Sequence, residues 1–220
     1  IDDFATQIAQ ARPDQPADAP RHRQTFELAM LEDDGPRYVR ARVEVGPDFE
    51  RALERPAQYT TMSYGEVAPR FLVIAAPPGT SSWEFLIDRD STLGRAIDGA
   101  SPGDPVTLSR PEGRGFALDE DEGPLLAFAT GSGVATIRPA LEHMRRADPA
   151  RLERAWLYYG EGHAHDFALE AERARWAEAG ATILLAHEDA QEGHGWRYVQ
   201  QAFQARAPAT EQATILVSGA

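Results

Sequence analysis

The hydrophobic rhythm of the chain changes once, just past its middle. From Gln24 to about Thr107, apolar and polar residues alternate in the short runs "QTFELAML", "RYVRARVEV", "QYTTMSY", "RFLVIAA", "WEFLIDR" and "DPVTLSR". Successive side chains leave a strand on opposite faces, so this period of two predicts half-buried strands. Asp33-Asp34-Gly35-Pro36 and Pro77-Pro78-Gly79 separate the runs as turns. Strands this short and this closely spaced predict a closed antiparallel barrel. One short helical pattern, Ser91 to Asp98, interrupts them.

After Pro124 the pattern lengthens. "LLAFATG" is a continuous apolar run, as expected of a parallel strand covered on both faces. Helical periodicity follows from Ile137 to Met144. "AWLYYG", "ATILLAHE" and "ATILVSGA" read as further strands, with helices in "DFALEAERARWAEAG", closed by Gly180, and in "WRYVQQAFQAR". Strands alternating with helices predict βαβ units and a parallel sheet. The fold class is therefore β plus α/β: an antiparallel Greek-key β-barrel followed by a Rossmann-like parallel sheet. The expected domains are a leader at 1–23, rich in Pro, Ala and Asp, a barrel at 24–122, and an α/β domain at 123–220. The acidic run Asp119 to Glu122 reads as a solvated inter-domain loop rather than a carboxylate site.

Composition narrows the chemistry. With 42% hydrophobic and 26% charged residues the chain has a globular composition. No apolar run approaches the roughly 20 residues of a spanning helix. A formal net charge of −13 repels nucleic acid and anionic lipid, and would also repel an acidic ferredoxin. There are no cysteines, which removes disulfides, thiolate nucleophiles and cysteine-bound metals. The start "IDDFATQIAQ" lacks the basic and long apolar regions of a signal peptide, and a cytoplasmic location is expected.

Gly131-Ser132-Gly133 lies between a buried strand and a helical pattern. Glycines there let the backbone turn sharply and expose free N–H groups at a helix start to a pyrophosphate. The rival is a nucleophile elbow presenting Ser132, with Asp189 and His194 following in hydrolase order. An elbow wants small residues two places either side, and Val134 is bulky. His163 and His165 form a His-x-His pair that reads as solvated loop histidines; contact with a nucleotide is the second reading, and zinc is disfavoured without a third ligand.

The β-rich half followed by "FATGSGVATIRPALE", "LYYGEGHAHDF…ERARWAEAG" and "YVQQAF…ILVSGA" resembles the ferredoxin–NADP⁺ reductase superfamily, in particular its ferredoxin-reductase-like FAD/NAD(P)-binding proteins. The resemblance covers about residues 24–220. It implies an FAD-binding barrel, an NAD(P)H-binding α/β domain, and hydride passing between the cofactors, with electrons leaving to an unknown acceptor. Thr130, Gly131, Ser132, Gly133 and Val134 match the family's nucleotide turn, although its usual proline is Thr136 here. Tyr59 falls on the strand leading to the flavin. Pro69 to Ala76 stands at the Arg-x-Tyr-Ser flavin motif: Arg70 keeps the cation for the FAD pyrophosphate and Phe71 follows it. Leu72 replaces the stacking tyrosine, and Val73 the hydroxyl near flavin N5. Ser91 and Thr92 open the helix that would hold the FAD diphosphate. Ser218-Gly219 replaces a Cys-Gly beside the nicotinamide, after which relatives continue. The cofactors carry the chemistry, so no side chain is assigned as an acid or base.

The family is expected to place cations for the NADP phosphate after the second strand of the nucleotide half; there, past Gly160, the loop "YYGEGHAHDF" has Glu161 and Gly162 instead, and Leu169 replaces a tyrosine in the helix that follows. A glutamate repels a 2′-phosphate and can accept from a free ribose hydroxyl, so NADH is expected over NADPH. The altered flavin motif leaves a second reading, a nucleotide-binding or regulatory module without flavin turnover.

Overall fold

In a computed structural model the structure describes residues 22–118, 123–191, 195–209 and 211–219. Most of the leader, the acidic run Asp119 to Glu122, and His194 lie outside the described residues.

The first half forms a six-stranded antiparallel sheet from β1 (Arg23–Asp34), β2 (Tyr38–Glu44), β3 (Tyr59–Tyr64), β4 (Arg70–Val73), β5 (Ser82–Asp88) and β6 (Pro105–Ser109), in the order β4-β3-β6-β1-β2-β5. The sheet curls like a barrel but does not close, which corrects the expected closed barrel. β4 and β5 form no ladder; Ala75 N–H donates to the Glu84 carbonyl at 2.8 Å just past the end of β4. With only four residues and Pro77-Pro78 close behind it, β4 is too short to pair along β5. Two short helices complete this half. α1 (Pro47–Ala52), which the alternation did not reveal, sets Phe49 edge-on against Phe26 at 4.9 Å. α2 (Thr92–Ile97) lies within the expected helical stretch.

The alternation in β2 and β5 gives two different buried faces. Val39, Ala41, Val43, Trp83, Phe85 and Ile87 fill the barrel core. Tyr38 and Leu86 point the other way and join the core of the second half.

That second half is a four-stranded parallel sheet of β7 (Leu125–Thr130), β8 (Ala155–Glu161), β9 (Thr182–His187) and β10 (Thr214–Ser218), in the order β10-β7-β8-β9. α3 (Val134–Ala147) covers one face through Val134, Ile137, Ala140, Leu141 and Met144, the spacing of one helical stripe. The short α4 (Pro149–Leu152) follows it, and α5 (Glu170–Glu178) packs Trp176 into the same core. α6 (Val199–Ala205) lies on the opposite face against Tyr158 and Leu184. α5 and α6 both start later than the periodicity suggested. Leu169, expected within a helix, precedes α5 in a left-handed conformation (φ 60°). Its N–H donates to Asp34 Oδ1 at 2.8 Å, across to the first half.

A polar network joins the halves. Arg40 on β2 contacts Asp34 Oδ2 at 2.6 Å and Glu172 Oε1 on α5 at 2.7 Å. Arg138 on α3 contacts Glu84 at 2.8 Å and Glu172 at 3.2 Å, and also donates to the Ala75 carbonyl. Trp176 Nε1–H donates to Glu142 Oε1 at 2.8 Å. Burial alone would raise the Glu172 carboxyl, but Arg40 and Arg138 outweigh it and hold the group below its usual range. Glu142 is held low in the same way, by Arg145 and Trp176 against its own burial.

Candidate active site

A parallel sheet can take a ligand where neighbouring strands run to helices on opposite sides, beyond the strands' carboxyl ends. Here that point lies between β7 and β10. A cavity of ≈ 820 Å³ opens there, between the two halves of the chain. That is the size of a cofactor site.

The nucleotide-side wall begins with the glycine turn. Thr130 ends β7 in an extended conformation, and a 3₁₀ turn, Gly131–Gly133, runs straight into α3. Among the described residues neither the turn nor the helix receives a side-chain cap, and amides at such a helix start can take an anion. The two glycines serve different ends. Gly131 has φ 57°, a conformation that favours glycine. Gly133 is ordinary helical backbone, but a Cβ on it would stand 2.7 Å from the Ser218 carbonyl carbon and oxygen. Gly219 in turn is pressed against Thr130. The ends of β7 and β10 therefore form one tight seam, and Ser218 Oγ–H donates across it to Thr136 Oγ1 at 2.9 Å.

The opposite wall is β4 and β5. Phe71, Leu72, Val73 and Leu86 line the cavity, and Phe71 is 61% exposed. Phe71, Leu72, Val73 and Leu86 make an apolar stretch that suits the face of a planar ring system, with Asp88 and Arg37 at the β5 end of the wall.

Glu161, at the end of β8, has no exposed side-chain surface. Its Oε1 accepts from Tyr38 at 2.8 Å and Tyr159 at 2.6 Å, and its Oε2 accepts from Arg37 Nη1 at 2.9 Å. Arg37 also holds Asp88 on β5, at 3.0 Å. Burial pushes the Glu161 carboxyl above its usual range, against the pull of Tyr159, Tyr38 and Arg37. Burial and the Glu161 charge raise both tyrosines. The carboxylate expected to meet a ribose is thus engaged in tying the two halves together.

Of the residues singled out in sequence, the structure brings Phe71, Leu72, Val73, Thr130, Gly131, Ser132, Gly133, Gly160, Glu161, Ser218 and Gly219 to this one cavity. Val134 is buried beneath the turn. Tyr59, Arg70, Ser91 and Thr92 do not line it. Tyr59 stacks edge-on against Phe71 at 5.6 Å, Arg70 is exposed, and the Ser91 hydroxyl caps its own helix by accepting from Gly94 N–H at 2.9 Å. Leu169 is buried and cannot stack on a ligand. His163 and His165 stack on each other at 5.4 Å, and Asp189 lies between His187, its hydrogen-bond partner, and His163 at 3.6 Å. No hydrogen bond joins Asp189 to Ser132 among the described residues.

Sequence reasoning missed Arg37 and Asp88, because turn residues before one strand and at the end of another give no local signal that they meet. It also missed Glu188, Arg197, Tyr198, Val199 and Gln200, which reach the cavity from the β9–α6 loop and the start of α6. The late helix start was the available clue: Trp196 instead bridges to Ala186 in parallel, holding Arg197 and Tyr198 at the rim.

Residues 128–220 match the family of oxidoreductase NAD-binding domains. The chain is similar in structure to the FAD/NAD-binding domain of a nitric oxide dioxygenase from Vibrio cholerae (TM-score 0.66, 14% identity, covering 88% of this chain and 98% of that one). It is also similar to a ferredoxin–NADP⁺ reductase from Neisseria gonorrhoeae with bound FAD and NADP (TM-score 0.70, 15% identity, covering 89% and 84%). The chain has the ferredoxin–NADP⁺ reductase fold. A larger protein with this fold, the cytochrome P450 reductase of Amycolatopsis, matches at TM-score 0.72 and 20% identity, covering 92% of this chain, which spans 65% of that one. No curated protein sequence matches the chain. Among the described residues no helix is long and apolar enough to cross a membrane. In the reductase fold the seam between β7 and β10 belongs to the NAD-binding half, and the apolar wall of β4 and β5 to the barrel.

Proposed function

We propose that the protein is a flavin-dependent oxidoreductase that binds NAD(P)H on the β7–β10 seam and FAD against the barrel wall, and passes electrons to an acceptor of its own. The observation that carries this is the single cavity with two unlike walls, uncapped helix amides on one side and an apolar strand surface on the other. The amides suit a dinucleotide pyrophosphate, and Leu72 and Val73 suit an isoalloxazine face. Bound there, the cofactors supply hydride transfer from nicotinamide to flavin; the chain binds them, orients them and keeps water from between the rings. Arg70, Ser91 and Thr92 are assigned to the FAD diphosphate, outside the cavity. The barrel at 24–122 and the nucleotide domain at 123–220 are the units that hold one cofactor each.

NADH is the preferred donor. Three carboxylates line the cavity, at Asp88, Glu161 and Glu188, against two guanidiniums, at Arg37 and Arg197. Arg37 is already committed to Asp88 and Glu161. A dianionic 2′-phosphate therefore meets net negative charge. Steady-state oxidation of NADH and NADPH by FAD-loaded protein, with ferricyanide as acceptor, tests both statements. The expected result is turnover with kcat/KM higher for NADH; a higher value for NADPH removes the preference. Dinucleotide binding without turnover, in protein that takes up no FAD, would favour a regulatory module. Leu72 and Val73, which offer no side-chain hydrogen bond to a flavin, favour that second reading.

A further inference from the structure

Three segments that line the cavity meet again behind it, in one buried knot. Ala135 on α3, Val73 on β4 and Leu86 on β5 line the cavity. The neighbouring residue on the same face of each segment does not: Arg138 one turn along the helix, Ala75 just past the end of β4, and Glu84 two places back along β5. Arg138 joins all three. Its Nη1–H donates to the Ala75 carbonyl, and its Nη2 lies 2.8 Å from Glu84 Oε2 and 3.2 Å from Glu172 Oε1 on α5. Ala75 N–H donates to the Glu84 carbonyl at 2.8 Å, which closes the set. The Arg138 side chain is only 8% exposed, so the guanidinium is largely shielded from water.

A guanidinium is a rigid planar fork, and its partners here sit on three different segments. Its reach therefore fixes how far α3, which begins at the glycine turn, stands from β4 and β5. The Arg37–Glu161 tie joins β8 to the turn before β2 and does not involve α3.

We propose that Arg138 is a positioning residue for the redox step: it sets the gap between the nucleotide wall and the barrel wall while touching neither cofactor. The inference rests on the reading of this cavity as the place where nicotinamide and flavin meet. In that step a hydride, one hydrogen nucleus with two electrons, leaves NADH as NAD⁺ and reduces FAD to FADH⁻. The transfer needs the two rings in contact, and a misplacement of about 1 Å costs on the order of a hundredfold in rate. Binding of each cofactor depends on its own wall, so it survives a change in the gap. Arg138→Lys keeps the charge but not the fork. Arg138→Met combined with Glu84→Gln removes cation and carboxylate together and leaves Glu172 paired with Arg40, so the double variant is expected to fold.

Three measurements on wild type and both variants test this, with thermal melts confirming that each is folded. Calorimetry gives Kd for FAD and for NAD⁺, and stopped-flow bleaching of FAD-loaded protein by saturating NADH gives the limiting rate. Both Kd values are expected to stay within about threefold of wild type while the limiting rate falls at least about tenfold. The chain has no cysteine, so spin labels on cysteines introduced at the exposed Glu66 and Ala177 report the spacing of the two halves without turnover. Their distance distribution is expected to be narrow in wild type and broader or shifted in the variants. An unchanged limiting rate or an unchanged distance distribution in a folded variant overturns the proposal and leaves the shared cavity standing. Loss of affinity for FAD or NAD⁺ in the variants also overturns it, since Arg138 would then belong to a binding site. Wild type whose flavin NADH does not bleach overturns the two-ring reading, and this proposal with it.

Discussion

Two glycines of one turn make the case at the scale of single residues. Gly131 is needed for its backbone angle and Gly133 for the space it leaves. Gly131→Ala is therefore expected to cost roughly 1 kcal/mol, the price of a left-handed alanine, visible as a lower Tm. Gly133→Ala keeps a comfortable backbone but pushes Ser218 away, and is expected to weaken dinucleotide binding at least tenfold by calorimetry. Equal effects of the two on binding would show that the seam is not tight. Arg37 gives a second test. Arg37→Met leaves Glu161 buried with two hydroxyl donors and no cation, and should cost about 2 kcal/mol at neutral pH, less than a fully buried pair because Arg37 is partly exposed. The sign with pH follows from the raised Glu161 carboxyl. Such a group loses stability as pH rises through its folded value, and removing Arg37 raises that value further. Urea unfolding should show the deficit larger at pH 8 than at pH 5; a deficit independent of pH would place the role of Arg37 elsewhere.

Among elements, β2 and β5 show how one alternating strand supplies a barrel core and a domain interface together. The period of two said that one face was buried. It gave no sign that Tyr38, Arg40, Glu84 and Leu86, on the other face, would be covered by α3 and α5. Strand identity, the change from antiparallel to parallel, and the glycine turn were legible because each depends on local pattern. Barrel closure, the start of α5 and α6, and the Arg37–Glu161 tie were not, since each depends on contacts between residues far apart in sequence. Leu169 shows this clearly: it sits in a good helical pattern, yet its N–H is taken by Asp34, 135 residues away. The interface also has a pH signature. Glu172 and Glu142 are held below their ordinary value of 4.5, so they contribute stability at neutral pH that is lost as pH falls through their lowered folded values. Glu172→Gln should lower Tm at pH 7 and flatten its fall below pH 4.5 relative to wild type. A parallel fall in both proteins would show that Glu172 does not govern the acid limb.

For the whole molecule, the arrangement of the halves is what turns two ordinary sheets into a site. The β7–β10 seam alone is a helix start with free amides, and the β4–β5 wall alone is an exposed apolar edge. The Arg40, Arg138 and Glu172 network and the Glu161 tie hold these surfaces face to face across ≈ 820 Å³. Two cofactor rings are proposed to meet in that space. Anaerobic mixing of FAD-loaded protein with NADH in a stopped-flow spectrophotometer tests it most directly. The flavin absorbance is expected to bleach in a single saturable phase, slowed by Gly133→Ala; a flavin spectrum that NADH leaves unchanged would mean that the rings do not meet.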